Sequence, residues 1–146
     1  MDELSNSLFP DYPNIMCLPE HHLNDYEIDN LPIDHLKLGS KFCRRQFKNE
    51  GVCIFIHEEL KFFSISLDKY CKVCAVRLNI THIHIIVLTI YRSPSGNFTK
   101  FFKNLDSILN TWYSNKTEFV ICGDININYL ENCMKRQQMH YYKLIT

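Results

Sequence analysis

Two nearly continuous apolar runs of strand length constrain the fold more than any other feature of this sequence. They extend from Val52 to Ile56 and from Ile85 to Ile90. Successive side chains of a strand point to opposite faces, so a strand that is apolar along its length must be covered on both faces. Weaker strand patterns occur in DHLKLGSKFCRR, in CKVCAVRLNI and in NIMCLP, where the strand is expected to stop at Pro19. We therefore predict that one sheet packs on another.

The apolar period changes to that of an α-helix after Asn97. Apolar side chains then recur every three or four residues, and Asn97 or Thr99 can cap the helix. The strand EFVICGDIN follows. Several strands, one long helix and a further buried strand predict a layered α/β or α+β fold in which the helix covers an outer face of a sheet. The apolar face of the helix contains Phe98, Phe101, Phe102, Leu105, Ile108, Leu109 and Trp112.

The length of 146 residues and the apolar content of 46% suit a single domain. Residues 1–13, which include Pro10 and Pro13, are interpreted as a loose N-terminal lead-in, and residues 14–146 as the domain. A helix-like pattern, CMKRQQMHYYKLI, lies near the end of the chain. No apolar run approaches the roughly 20 residues needed to cross a bilayer, so we expect no membrane partner.

Charge and cysteine content restrict the cellular context. Basic and acidic residues number 16 each, so the net charge neither supports nor excludes binding to nucleic acid. The chain has seven cysteines, an odd number, and its N terminus lacks a signal-peptide pattern. We therefore expect free thiols in a reducing intracellular compartment, nuclear or cytoplasmic.

Polar side chains follow three of the apolar strands, where ligands gather in layered folds. These residues are Glu20, Tyr91, Arg92, Asp124 and Asn126.

The stretch VICGDININ, residues 120–128, joins a buried strand to a polar segment. If the strand continues, alternation places Asp124 and Asn126 on the same face. Gly123 lacks a Cβ and lets a neighbouring strand or a phosphate approach the backbone closely. A polar Asn/Asp turn accounts for the same residues, and the stretch alone does not separate the two interpretations.

Three segments, IMCLPEHHL, TIYRSPSGNFTKFFKNLDSIL and VICGDININYL, together resemble the endonuclease/exonuclease/phosphatase superfamily. Within it they are similar to the endonuclease domain of non-LTR retrotransposon polyproteins and their domesticated relatives. The resemblance extends from about Asn14 to Leu130, and the order and spacing of the segments are more specific than any one of them. It implies a four-layered α/β sandwich, here a partial one, that hydrolyses phosphodiesters or phosphomonoesters with Mg²⁺ or Mn²⁺.

The resemblance also implies roles for individual residues. Glu20 matches the metal-binding glutamate, and Tyr91 matches the tyrosine that contacts the scissile phosphate. Asp124 matches the aspartate that orients or deprotonates the attacking water, and Asn126 the amide that holds the phosphate in the transition state. The implied partner is nucleic acid, with DNA favoured. A solvated Glu20 in a loop and an edge Tyr91 with its hydroxyl in water are the structural alternatives.

Two other parts of the family pattern have no counterpart in this sequence. They are an N-terminal strand that ends in a metal-binding Asn and a C-terminal segment with a Ser-Asp-His ending. Only 19 residues precede Glu20, and the one His after Asn126 is His140, whose context QQMHYYK does not match. We therefore expect a truncated domain with weak or no nuclease activity. The alternative is a noncatalytic remnant that binds protein or nucleic acid through its surface.

We expect the remaining histidines and cysteines to have structural roles or to be solvated. His82 and His84 lie on one face of a strand without a nearby carboxylate, so we expect a solvated face and no metal site. Cys71 and Cys74 have CxxC spacing but no second pair, and we expect them to be small buried side chains. His21, with His22 beside it, could supplement Glu20, although the family does not bind metal at that position.

A basic cluster is the last candidate in the sequence, and it could contact a phosphate backbone or coat a loop. It consists of Lys41, Arg44, Arg45 and Lys48.

Overall fold

A computed structural model describes residues 13–43, 51–67, 72–80 and 82–127. Within these ranges the chain forms seven strands and two helices. In chain order they are β1 (Ile15–His21), α1 (Asp25–Asp29), β2 (Leu36–Phe42), β3 (Gly51–His57), β4 (Phe62–Ile65), β5 (Val73–Ile80), β6 (Ile83–Tyr91), α2 (Phe98–Trp112) and β7 (Thr117–Asp124).

The strands form two sheets. The first has the order β1-β3-β2 and is antiparallel throughout. The second has the order β4-β5-β6-β7, in which only the β6–β7 pair is parallel. A parallel pair cannot be joined by a tight hairpin, and α2 provides the crossover. Parallel strands end at the same edge of a sheet, so Tyr91 and Asp124 lie side by side as partners in the ladder.

The two sheets pack face to face, as the sequence predicted. Val52, Ile54 and Ile56 of β3 point toward Val76 of β5 and Val87 of β6. The alternate residues of β3 point outward, where they are buried beneath the segment that contains α1. That outer cluster contains Ile28, Ile33, Leu36, Cys53 and Phe55. β3 is therefore covered on both faces, which explains its continuous apolar sequence.

Helix α2 covers the outer face of the second sheet. Phe102 and Leu105 are buried against Leu88 and Ile90 of β6, and Asn97 caps the helix by accepting the backbone N–H of Lys100 at 2.8 Å. The order of layers is thus α1, first sheet, second sheet and α2. The predicted layered α/β sandwich is confirmed. The other predicted apolar residues of α2 are partly buried against the same cluster: Phe98, Phe101, Ile108, Leu109 and Trp112.

Strand β1 differs from the sequence prediction, because it does not stop at Pro19. Pro19 lies opposite Val52 in the ladder. Since β1 is an edge strand, a residue without an N–H group is tolerated there. The register shifts between Pro19 and His21, and Glu20 has a positive φ of 55°, which is typical of a bulge. Glu20 thus projects from an irregularity inside the strand and not from a loop after it.

Two short elements were not predicted from the sequence. Helix α1 has five residues and too little apolar periodicity to detect, although a capping box marks its start: Asn24 and Glu27 exchange side-chain and backbone hydrogen bonds of 2.8 and 2.9 Å. Strand β4 has four residues, of which Phe63 is largely exposed.

Some sequence expectations lie outside the described residues. These are the helix-like segment near the C terminus and the N-terminal lead-in apart from Pro13. No helix among the described residues is long and apolar enough to cross a membrane.

The packing of α2 predicts the effect of shortening Leu105. Leu105 is 3% exposed, so Leu105→Ala should lower the free energy of unfolding by about 2 to 5 kcal/mol, because it removes buried methyl groups and leaves a cavity. Urea denaturation measures the change. The same substitution at Leu60, which is 37% exposed, is the matched control and should cost less than about 1 kcal/mol. Equal losses at both positions would contradict the placement of α2.

Candidate active site

The candidate site lies at the edge of the second sheet where β6 and β7 both end. The backbone N–H of Arg92 donates a hydrogen bond to the carbonyl oxygen of Asp124 at 2.9 Å, which extends the pairing just past Tyr91. Along β6, Val87 and Tyr91 face the first sheet, whereas Ile90 faces α2. The carboxyl ends of two parallel strands thus deliver Tyr91 and Asp124 to one place.

Glu20 reaches this place from the first sheet. The hydroxyl of Tyr91 donates a hydrogen bond of 2.8 Å to Oε1 of Glu20, although the two residues are 71 positions apart in sequence. Tyr91 is only 3% exposed, so the alternative of a solvated edge tyrosine is wrong. The bulge in β1 aims the Glu20 carboxylate at the phenol. The structure therefore brings Glu20, Tyr91 and Asp124 to the same edge of the sandwich.

Asn126 is placed by a turn and not by strand alternation. β7 ends at Asp124, and Asn126 has a left-handed backbone with φ of 50°. Its N–H donates to Oδ1 of Asp124 at 2.8 Å, which is the hydrogen bond of an Asx-turn. Its side-chain amide donates to the carbonyl of Arg92 at 2.9 Å. The sequence argument from alternation was therefore wrong for Asn126, and the polar turn that it left open is present.

Arg92 organises this turn, a role that sequence reasoning missed. Arg92 is 5% exposed, and its guanidinium donates to the carbonyls of Gly96 at 2.7 Å, Ile125 at 2.7 Å and Asn126 at 2.6 Å. A guanidinium has five N–H donors in a fixed plane, so it can bind several carbonyls at once. Arg92 thus ties the loop after β6 to the loop after β7. Its position next to Tyr91 and before a Pro- and Gly-containing loop was the only signal in the sequence.

Gly123 allows β7 to lie close to β6. Its φ is 133°, in the region that residues with a Cβ rarely adopt, and a Cβ there would collide with the carbonyl of Ile90. Of the two possibilities that the sequence raised, a close strand and a phosphate, the described structure contains the close strand.

His21 follows Glu20 at the end of β1 and is mostly buried. A Cβ on Gly51 would collide with its ring, so the glycine makes room for the imidazole. Burial is the main cause that lowers the pKa of His21 below its usual value of 6.5. The lowered pKa favours the neutral imidazole near neutral pH.

The other sequence candidates are explained by local contacts. Lys41 forms ion pairs with Asp25 at 3.0 Å and Asp29 at 2.7 Å, which anchor α1 to β2. His84 shares a hydrogen bond of 2.9 Å with the side chain of Asn79. Cys74 is buried between the sheets, as expected.

Of the other members of those candidate clusters, His82 is described and exposed, and these lie outside the described residues: Cys71, Arg44, Arg45 and Lys48. Among the residues that the structure describes, no group of three or more His, Cys, Asp and Glu side chains is arranged to hold a metal ion.

The architecture is that of the endonuclease/exonuclease/phosphatase fold. The chain is similar to the endonuclease domain of TRAS1, a telomere-specific non-LTR retrotransposon, with a TM-score of 0.71 and 11% identity over 97% of this chain and 64% of that one. It is also similar to an endonuclease/exonuclease/phosphatase family protein from Leptotrichia buccalis, with a TM-score of 0.58 and 14% identity over 96% and 64% of the two chains.

A third similar structure is that of D. rerio TDP2 complexed with single-strand DNA product, with a TM-score of 0.58 and 12% identity over 87% of this chain and 53% of that one. No protein-family model and no curated protein matches the sequence. The sequence-based resemblance is thus confirmed at the level of the fold. The chain spans less than two thirds of the solved chains that it matches.

The contacts of Arg92 predict that Arg92→Lys destabilises the protein. A lysine cannot reproduce the planar set of donors, so buried carbonyls lose their partners and the free energy of unfolding should fall by about 1 to 3 kcal/mol. Chemical denaturation measures the loss. Arg77→Lys is the matched control, because the guanidinium carbon of Arg77 lies 5.2 Å from the centre of the Phe63 ring and its buried Nε has no hydrogen-bond partner among the described residues. A larger loss at Arg77 would contradict the role of Arg92.

The buried cysteines predict selective protection of thiols. Burial raises the pKa of Cys53 to about 12 and raises that of Cys74 as well, so neither side chain forms a thiolate near pH 8. Both should resist iodoacetamide in the folded protein and react in urea, as measured by mass spectrometry of the peptides. Rapid modification of either residue without denaturant would contradict its placement between packed layers.

Proposed function

We propose that this chain is a metal-dependent phosphodiester hydrolase domain of the endonuclease type, with nucleic acid as its substrate and DNA favoured. The observation that carries the proposal is the hydrogen bond between Tyr91 on β6 and Glu20 on β1, next to Asp124 on β7. Residues from three strands of the two sheets thus meet at one edge. A phenol and a carboxylate at the ends of two parallel strands, together with the Glu20 carboxylate from β1, form a polar site suited to a hard cation and the anionic substrate that it binds.

In this proposal the side chains divide the chemistry between them. Asp124 is exposed and can accept the proton of a water molecule whose oxygen attacks phosphorus, while the bond from phosphorus to the leaving oxygen breaks. The Tyr91 hydroxyl has one proton, which it donates to Glu20 in the structure; rotation of that proton away from Glu20 would allow it to bind a non-bridging phosphate oxygen as negative charge develops. Asn126 shapes the turn that holds Asp124, and rotation of its amide away from the Arg92 carbonyl would allow it to contact the phosphate.

The residues fit a divalent cation through Glu20. Mg²⁺ and Mn²⁺ prefer oxygen ligands, and Mg²⁺ commonly binds one or two protein carboxylates while water and substrate phosphate complete its coordination. Glu20 is exposed and its Oε1 is already oriented by Tyr91. A cation bound there would neutralise charge on the phosphate. Since Glu20 is the only described carboxylate that we assign to it, we expect weak binding and a low rate of hydrolysis.

A noncatalytic role is the second candidate, and one observation favours it. Oδ1 of Asp124 and the side-chain amide of Asn126 both take part in hydrogen bonds that stabilise the loop. If those bonds persist, the edge is a structural turn, and the domain binds nucleic acid or protein without cleaving it.

The two candidates predict different results in a plasmid-relaxation assay. The hydrolase should relax supercoiled DNA slowly with Mg²⁺ or Mn²⁺, and excess EDTA should abolish the activity. Asp124→Asn should reduce the rate to background because it removes the proton acceptor. Tyr91→Phe removes one transition-state donor and should lower the rate by about 10²- to 10³-fold, which from a low starting rate also means background.

The control variant is Asp106→Asn, which makes the same change at an exposed position of α2 and should leave the rate unchanged. Relaxation that survives Asp124→Asn would refute the proposed site. Binding of DNA without any metal-dependent relaxation would favour the noncatalytic role.

A further inference from the structure

A small cavity of about 180 Å³ opens beside Tyr91, on the side of the candidate site that faces α2. It lies between the segment before β5, the loop after β6 and the first turns of α2. Tyr91 and Arg92 form part of its wall, and the other polar residues that line it are Lys72, Ser93, Asn97, Lys100 and Asn104. Neither the proposed metal ligand nor the proposed water-activating residue lines it.

Lys72 is held in a defined position at this cavity. Its ammonium donates a hydrogen bond of 2.6 Å to Oγ of Ser93 and lies 5.0 Å from the centre of the Tyr91 ring. The backbone adds a third constraint, because the N–H of Tyr91 donates to the carbonyl of Lys72 at 2.9 Å. A surface lysine normally samples many rotamers, so an ammonium fixed over an aromatic ring is already oriented for an anion.

The charged side chains among the described residues that line the cavity are all positive, although the chain as a whole has no net charge. Lys72 and Lys100 both line it, and none of the described residues that line it is acidic. Arg92 also contributes to the wall, but its guanidinium is bound to backbone carbonyls and serves the fold. Two ammonium groups and a hydroxyl in a cavity of this size suit a phosphate group.

We infer that this cavity binds a non-scissile phosphate of the nucleic-acid strand, next to the phosphate that is contacted by the Tyr91 hydroxyl. The inference rests on the proposed function, because it takes its ligand from the same strand. Tyr91 takes part in both the candidate site and the cavity: its hydroxyl donates to Glu20, and its ring contacts the Lys72 ammonium. Because Tyr91 also forms part of the cavity wall, a strand held at its hydroxyl runs past the cavity and can place a neighbouring phosphate there.

The test compares Lys72→Gln and Lys100→Gln with the wild-type chain in fluorescence-anisotropy titrations of a labelled DNA oligonucleotide at several salt concentrations. Each variant should lower the magnitude of the slope of log K against log salt by about 0.7 to 0.9, since one fewer counterion is released. At 0.1 M salt that corresponds to about five- to eightfold weaker binding. Lys103→Gln is the matched control, because Lys103 is an exposed lysine of α2 outside the cavity, and it should change neither quantity.

Oligonucleotides that carry one neutral methylphosphonate linkage at successive positions locate the contact. One position should weaken binding to the wild type and have a smaller effect on Lys72→Gln, in which Lys100 alone still contacts that phosphate. Uniform sensitivity at all positions, or an equal loss in Lys103→Gln, would overturn the inference, because binding would then be general electrostatic attraction. Absence of binding by the wild type would overturn it too.

The same preparations separate this inference from the proposed function. Asp124→Asn should lose relaxation activity but keep the salt slope of the wild type. If the wild type binds with the predicted dependence on Lys72 and does not cleave, the cavity stands and the hydrolase proposal fails. If it cleaves and the Lys72 and Lys100 variants bind like the wild type, the hydrolase proposal stands and the cavity inference fails. Unfolding curves of each variant show whether the fold is retained, and Lys100→Gln carries the test should Lys72→Gln not fold.

Discussion

The parallel pairing of β6 with β7 is the constraint on which the candidate site depends. It places the ends of two strands at one edge, so Tyr91 and Asp124 become neighbours in the ladder. It also requires a long crossover, and the crossover helix α2 covers the outer face of the second sheet with Phe102 and Leu105. Gly123 permits the close approach of the two strands at their ends, where a Cβ would meet the Ile90 carbonyl. One pairing therefore determines both the outer layer and the position of the site.

Arg92 converts the ends of these strands into a defined surface. Two loops leave the same edge, and carbonyls in both loops need hydrogen-bond donors. The Arg92 guanidinium supplies donors to Gly96, Ile125 and Asn126. A charge buried for this purpose is not available to a substrate. In the proposed phosphate site the binding role is therefore assigned to Lys72 and Lys100 and not to the arginine beside Tyr91.

The bulge in β1 is the contribution of the first sheet. In a regular strand, alternation alone sets the direction of each side chain. The register shift between Pro19 and His21 interrupts this alternation, and the Glu20 side chain points toward Tyr91. The buried His21 packs against Gly51 on the neighbouring strand, which fixes the backbone next to the bulge. The Glu20–Tyr91 hydrogen bond thus depends on the packing of one sheet on the other, and it would be lost if the sheets slid by one residue.

The sequence by itself determined the elements with long and regular patterns. The unbroken apolar character of Val52–Ile56 required cover on both faces, and the stripe through Phe102 and Leu105 required a helix on a sheet; both follow from the fixed periods of strand and helix. The resemblance of three ordered segments also predicted the fold, and it singled out Glu20 and Tyr91, which the structure joins by a hydrogen bond. Tertiary structure alone decided what local patterns do not encode. The bulge at Glu20 arises from pairing with β3, the turn at Asn126 from hydrogen bonds to Asp124 and Arg92, and the position of Lys72 from contacts with residues about twenty positions away. The bulge and the position of Lys72 depend on partners distant in sequence, so no window of neighbouring residues could predict them. The turn at Asn126 was one of two local interpretations of the stretch, and the structure decided between them.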